Sequence, residues 1–456
     1  MTEDLIIKSI DNNKNDYIQF VKELIQIDSF NPPGNEKNIA IKIKSFLEDS
    51  NIKCEIFPFE NNRANLIAFL NEKFEGKNLL YNAHMDVVPP GKESEWNNPP
   101  LSAYSTEKKI FGRGAADMKG GLAAMTIALK ILKQFEIETP NNLILNAVAD
   151  EETGGKLGTK WCVDNVLKKK NIKLDYSIVG EPSGMATLPK TIILGEKGRL
   201  VLKVVTNGIS GHASAPFLGK NAITMMSEII QKLDEIEKLM HDIKDIKPSM
   251  SHEELENNIS STFPDIESYQ EFLKKNPYLK PIIQAISKFT QSLNMIEGGI
   301  KDNVIPDQCS ATIDFRLLPN QTPEITINAF KKIINELGYE VRDSPIGDPK
   351  DVFVYIEVIK VSEASFWKDW DKSINLQNFS SIIENVYKEK PIYLLFPASS
   401  DAHYLRNSNY CPQTILFGPG NGMLAHATNE YISIDDFINS IKVFTLFACR
   451  FLKDEG

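Results

Sequence analysis

No stretch of this 456-residue sequence approaches the roughly 18 to 20 uninterrupted apolar residues that a membrane span requires, so no membrane is expected among its partners. Cysteine is scarce. Cys54, Cys162, Cys309, Cys411 and Cys449 are scattered, odd in number and without a CxxC spacing. That argues against both a disulfide framework and a thiolate zinc site. Positive charge is short as well, with 51 Lys and Arg against 61 Asp and Glu and a formal net charge of −10. Nucleic acid is therefore not expected as the main partner. The only basic run, Lys168-Lys169-Lys170, reads as a solvated helix end. The N-terminal MTEDLIIKSIDNN lacks the basic flank and apolar core of a secretory signal, so a cytoplasmic location is expected. There is no internal repeat and no low-complexity linker.

What is present is the composition of a globular protein, 42% hydrophobic and 25% charged, in a chain long enough for two domains. Apolar residues recur at helical spacing over 16–28 and 36–50, and again in the long amphipathic segment after Asp117. Short apolar runs at 65–70, 79–83, 143–149 and 176–179 read as buried strands. Strands alternating with helices predict an α/β fold, a sheet covered on both faces. The texture changes near Gly195. Residues 199–206 alternate like a half-exposed strand, a helix follows from Asn221, and 234–295 are charged, largely helical and punctuated by Pro248, Pro264, Pro277 and Pro281. A strand at 310–317, a helix near 323–337 and a strand near 353–361 complete a ββ/α pattern. Helix 379–387, strand 414–417 and helix 434–452 return to the first texture. The expectation is one α/β domain built from 1–197 and 365–456, with a second, α+β domain inserted at 198–364.

Polar clusters follow the expected strands, where loops converge over the carboxyl ends of an open sheet. NAHMDVVPPG presents His84 and Asp86, FGRGAADMKGG presents Asp117, AVADEETGG presents Glu151 and Glu152, VGEPSG presents Glu181, and FGPGNGMLAHATNE presents His426. Each feature alone has an ordinary reading: a packed histidine, a solvated glutamate pair, an aspartate capping its helix. GRGAAD faintly resembles a dinucleotide fingerprint but lacks its third glycine and the later ribose-binding acid. Together the residues suit zinc, which accepts imidazole nitrogen and carboxylate oxygen. Two ions ~3.5–4 Å apart need a bridging carboxylate and terminal ligands on each side. Asp117 can bridge, His84 and Glu181 can complete one ion, and Glu152 and His426 the other. Glu151 is left unligated beside them, as a general base on a bridging water requires. Asp86, two residues beyond His84 on an extended strand end, is expected to accept the other imidazole N–H and fix its tautomer. Cobalt and manganese are acceptable substitutes for such a ligand set.

The motifs HMDVVPPG, GRGAADMKGG, DEETGG, GEPS and GHAS resemble, over nearly the whole chain, the acetylornithine deacetylase, succinyl-diaminopimelate desuccinylase, aminoacylase and glutamate carboxypeptidase family. The resemblance implies a dizinc exopeptidase-like catalytic domain, with a mixed sheet flanked by helices, and a smaller ferredoxin-like lid domain that also forms a homodimer contact. It implies the same ligands and a cis peptide after Asp117. It also implies that His212 of GISGHASAP reaches a neighbouring subunit's site to support the oxyanion, and that Asn303 and Arg316 hold a substrate carboxylate. The activity it implies is amide hydrolysis of small N-acyl amino acids in amino-acid biosynthesis, with carboxypeptidase or dipeptidase action as the alternative. A non-catalytic ligand-binding relative and a dinucleotide-binding oxidoreductase are the readings from other classes. Two departures stand out: a long insertion at about 240–296, and His403 in SSDAHYLR, which has no analogue in the pattern and is expected at the surface.

Overall fold

Four parallel strands form the centre of the larger sheet, and their carboxyl ends all deliver loops to one side. In spatial order they are Asn142–Val148, Asn78–His84, Tyr176–Val179 and Thr414–Leu416. Every residue of these strands is buried, as expected of strands covered on both faces. The structure is a computed structural model that describes residues 2–453 other than 61, 72–73, 138, 186–187, 189, 243–250 and 349. On one flank the hairpin Lys53–Pro58 and Ala64–Phe69 adds antiparallel to Asn142–Val148. On the other, Thr191–Glu196 carries Ser365–Phe366 antiparallel and Ile392–Phe396 parallel. The sheet is therefore mixed.

Alternate side chains of these strands enter two cores. Leu79, Tyr81, Leu143, Leu145 and Ile178 pack under the helices Lys14–Gln26, Lys37–Glu48, Gly120–Gln134 and Ile434–Lys453. Leu80, Ile144, Val148 and Val179 face the opposite layer, with Cys162, Val166, Ala402 and Leu405. One close approach decides how this layer sits. A Cβ on Gly121 would collide with the carbonyl oxygen of Gly180, so only glycine lets the helix after Asp117 approach the chain leading to Glu181.

A second sheet has the order Thr290–Gly298, Gln308–Leu317, Gly198–Asn207, Phe353–Ser362 and Val341–Arg342. Its four long strands are antiparallel. Helices Ala222–Gln231, Leu233–Asp242 and Pro323–Glu336 contribute to its separate core, including Met225, Ile229, Phe330 and Ile334. Asn221 caps the first helix through the amides of Ile223 and Thr224, and Thr322 caps the last, with Pro323 at its first position. In chain order this is βαββαβ, and the spatial order of the long strands is second, third, first, fourth. That is the ferredoxin-like arrangement.

The inserted segment is largely helical as expected through Ser287, but its end and its packing differ from the expectation. Thr290–Gly298 is a strand, although it falls in a stretch whose charge and spacing read as largely helical. It lies at the sheet edge with most side chains exposed, so no buried alternation marks it. The insertion is also not simply part of the second unit. Helices His252–Ser260, Ile266–Lys275 and Leu279–Ser287 place Leu255, Ile259, Tyr269, Ile283 and Ile286 in the core of the larger sheet. Two of these helices, the first and the last, pack beside Ile392–Phe396 and cover apolar surface there. Pro248 lies outside the described residues. Among those described, no helix is long and apolar enough to cross a membrane.

Candidate active site

His84 ends its strand, and its ring is almost wholly buried. Its Nε2 lies 3.1 Å from Asp117 Oδ1 and 3.7 Å from Glu181 Oε1. The other oxygen of Asp117, Oδ2, lies 3.2 Å from His426 Nε2, which is itself 3.0 Å from Glu152 Oε2. One carboxylate thus stands between two imidazoles, and each imidazole has a second carboxylate beside it. Asp117 does not cap the helix it precedes: the chain kinks there, with non-helical backbone angles at Asp117 and Met118, and the peptide between them is cis. Glu151 lines the same cavity as Asp117, Glu152, Glu181 and His426. One ligand atom from each of His84, Asp117 and Glu152 lies within 4.8 Å of the other two, a spacing that one metal ion can span.

The electrostatics are those of a carboxylate cluster taken out of water. Burial pushes Glu151 and Glu181 well above the usual carboxylate range, and burial also raises Glu152. Burial acts the same way on Asp117, but the two imidazoles hold it below its ordinary value. His426 is raised to about 10, first by its hydrogen bonds to Asp117 and Glu152. Four carboxylates with two histidines as their nearest cationic partners are costly to bury without further positive charge. A set of imidazole nitrogens and carboxylate oxygens around a central bridging carboxylate fits one or two divalent cations.

The loops that carry these groups are held from behind by residues the motifs did not single out. Glu430 is fully buried and accepts from Arg113 Nη1 at 2.7 Å. It also accepts from the amides of Gly114, Ala116 and Asp117 at 3.1, 2.8 and 3.0 Å. Arg113 in turn donates to the carbonyls of His426 and Ala427 at 3.2 and 3.1 Å. This pair ties the Asp117 loop to the His426 loop. The legible signal was opposite charge in two ligand-bearing loops: Arg113 in GRGAAD and Glu430 just after HATN. The same contacts dispose of a dinucleotide site, since the strand before GRGAAD, Lys109–Phe111, pairs with Tyr431–Ser433 outside the main sheet.

Asp86 has a different task from the expected one. His84 Nδ1 faces the backbone carbonyl of Asp86 at 2.8 Å, while the nearest Asp86 carboxylate oxygen is 3.7 Å away. That carboxylate accepts from Asn31 Nδ2 at 2.8 Å and from the amides of Glu151 and Glu152, each at 3.2 Å. It fixes the turn that presents the two glutamates. The turn begins at Asp150, which has a left-handed φ of 74° and bonds to Thr153 Oγ1, Leu157 N and Arg63. Asp401 closes the far side. It is pushed up to about 7, chiefly by burial, and it accepts from Thr159 Oγ1 at 2.7 Å. Its carboxylate occupies the space a Cβ on Gly155 would need. Asn31, Arg63 and Asp401 carried no signal in isolation.

The candidates from the inserted segment do not line this cavity. His212, on the short strand Gly211–His212, is exposed, and its Nδ1 is 2.7 Å from Ser214 Oγ. The amide of Ala213 donates to the carbonyl of Asn303, so His212 and Asn303 are neighbours in one small two-stranded corner. Arg316 is half-buried and paired through Nε with Asp314 Oδ1 at 2.9 Å. None of the three lines the cavity. His403 is half-buried rather than at the open surface. Its ring lies against that of Tyr404 at a tilt of 39°, with its Nδ1 2.6 Å from the carbonyl of Ser400.

Comparison with known proteins agrees with this geometry. A Staphylococcus aureus (strain MRSA252) protein named "Probable succinyl-diaminopimelate desuccinylase" is 26% identical over 446 residues, covering 96% of this chain and 98% of its own. An M20 family metallo-carboxypeptidase from Sulfolobus solfataricus superposes with a TM-score of 0.72 at 22% identity, over 95% of this chain and 98% of that one. A dinuclear metal binding peptidase of the M20 family from Bacillus subtilis does so with a TM-score of 0.62 at 14% identity, over 97% and 99%. Residues 80–450 match peptidase family M20/M25/M40, and the chain, a hydrolase of peptide or amide bonds, belongs to that family.

Proposed function

We propose that the protein is a dinuclear zinc enzyme that hydrolyses the amide bond of small N-acylated amino acids carrying a free carboxylate. The observation that carries this reading is the sharing of Asp117, with one oxygen 3.1 Å from His84 and the other 3.2 Å from His426. In the proposed site His84 and Glu181 hold one ion, Glu152 and His426 the other, and Asp117 both. Bound there, the ions would supply Lewis acidity to the amide carbonyl and to an attacking water. Glu151 lines the cavity without being assigned to either ion. Its carboxylate accepts the proton of the water and returns it to the leaving nitrogen, so that amide plus water becomes carboxylate plus amine. Asp86 keeps Glu151 and Glu152 in place through their amides.

The reading extends to the whole chain. Residues 1–197 and 365–456, joined by the packed helices within 252–287, form the catalytic unit; the rest of 198–364 forms a lid through which two chains pair. His212 then serves the partner's cavity, and Asn303 and Arg316 meet the substrate carboxylate when the lid closes. The protein works in the cytoplasm. Supporting the role of His212 in a partner's cavity are its exposure and its position outside its own chain's cavity. The deciding experiment combines metal analysis with a substrate screen. The expected result is two zinc per chain and turnover of acyl-amino acids that is lost on chelation. A chain that binds no divalent metal after careful preparation overturns the proposal.

A further inference from the structure

The cavity beside the carboxylates has two unlike walls. One is the cluster already described. The other is hydrocarbon, formed by Met185, Ile193, Leu394, Leu395, Phe396 and Met423. It is built where Ile392–Phe396 pairs with Thr191–Glu196, two strands that run opposite to the central four, and where the chain after Phe396 continues along the cavity as Pro397, Ala398 and Ser399. Among the described residues lining the cavity there is no lysine and no arginine. The enclosed space is about 190 Å³. For scale, an apolar cavity of about 150 Å³ admits a benzene molecule.

We propose that this wall is the specificity subsite and that it takes an uncharged apolar group next to the scissile amide: an aliphatic acyl chain, or a branched or aromatic side chain. The inference rests on the hydrolase reading above and narrows it. A succinyl tail, or any side chain ending in a negative charge, would bring that charge against a hydrocarbon wall that holds no lysine or arginine among its described residues, which is costly. An uncharged chain gains roughly 0.8 kcal/mol for each methylene buried, about fourfold in binding. The substrate thus differs in kind from the one in the printed name of the Staphylococcus aureus relative, whose acyl group ends in a carboxylate.

The test uses zinc-loaded protein and two matched pairs. N-pentanoyl-alanine and N-succinyl-alanine differ only at the acyl terminus, and N-acetyl-leucine and N-acetyl-aspartate only in the side chain. At least one pair is expected to favour the apolar member by about tenfold or more in kcat/KM. Met423→Arg, at a position 52% exposed and so tolerant of a long side chain, should reduce that preference by about tenfold. Equal rates within both pairs, or a preference for the charged members, overturns the subsite while leaving the hydrolase intact. If no amide is cleaved by metal-loaded protein, the hydrolase reading fails instead. Dissociation constants of the same four compounds, measured by calorimetry, then decide the subsite by the same ratios.

Discussion

Glu151 and Glu152 are neighbours in sequence with opposite assignments, and the difference lies in what each faces. Glu152 Oε2 is 3.0 Å from His426, whereas Glu151 lines the cavity with no such imidazole contact described. Glu151→Gln keeps shape and removes the proton acceptor. The expected outcome is unchanged metal content by emission spectroscopy and a fall in kcat of at least about a hundredfold. A variant retaining more than a few per cent of the rate gives the base role to another group. The pair behind the site makes a different prediction. Arg113→Ala leaves Glu430 buried without its cation, and breaking such a pair costs about 3–5 kcal/mol. Urea unfolding should show this loss, accompanied by weaker metal retention because the Asp117 and His426 loops lose their common tie. A midpoint shift worth less than about 1 kcal/mol would show that water replaces the pair. At this scale the sequence was legible where chemistry is carried by side-chain type and loop position. It was silent where a role depends on backbone geometry. Asp86 two residues beyond His84 suggested a carboxylate-to-imidazole bond, but the chain turns so that its carbonyl meets the ring and its carboxylate meets the next loop.

Elements were legible in proportion to how completely they are buried. The central strands read as short apolar runs because both faces are covered, and the final helix read by its long apolar stripe. Thr290–Gly298 carries no such run, since its edge position leaves it facing outward. The packing of 252–287 was hidden for another reason: an amphipathic helix shows that it has a partner and not which one. Lys197 marks the consequence. It follows the last residue of Thr191–Glu196, precedes the first strand of the second sheet and is almost wholly buried. Its Nζ donates to the carbonyls of Ala285 and Lys288 at 2.7 and 2.5 Å, pinning the inserted helix to the junction between the sheets. Burial lowers its pKa from the ordinary 10.5 to about 7, with the nearby Arg316 acting the same way and Glu237 opposing. The folded state therefore holds fewer protons than the unfolded between about pH 7 and 10.5, so stability from this group rises with pH across that window. Wild type minus Lys197→Met unfolding free energy should increase by about 1 kcal/mol per pH unit between roughly pH 7.5 and 9.5. A flat difference means the two carbonyls keep the ammonium charged throughout.

At the scale of the whole molecule, the proposed chemistry draws on a histidine that lies outside this chain's own cavity. The ligand cluster and Glu151 belong to the loops of the larger sheet, whereas His212 sits exposed on a separate two-stranded corner, beside Ser214 and Asn303. The proposal gives this exposed imidazole a role in the cavity of a second chain, and a symmetric pair of chains would offer two such sites. His212→Ala is expected to lower kcat about a hundredfold with metal content intact, the size of effect seen when one oxyanion donor is lost. The discriminating measurement mixes this variant with Glu151→Gln after dissociation and reassociation. If His212 acts across the pair, a mixed dimer holds one site with an intact base and an intact imidazole, and an equal mixture should recover about a quarter of wild-type activity. If His212 serves its own chain after lid closure, both sites of every mixed dimer lack one group, and the mixture stays as inactive as its components. Recovery also fixes the surface involved, because the imidazole can reach a second cavity only when the small two-stranded corner carrying it, Gly211–His212 with Val304–Ile305, lies against the partner chain.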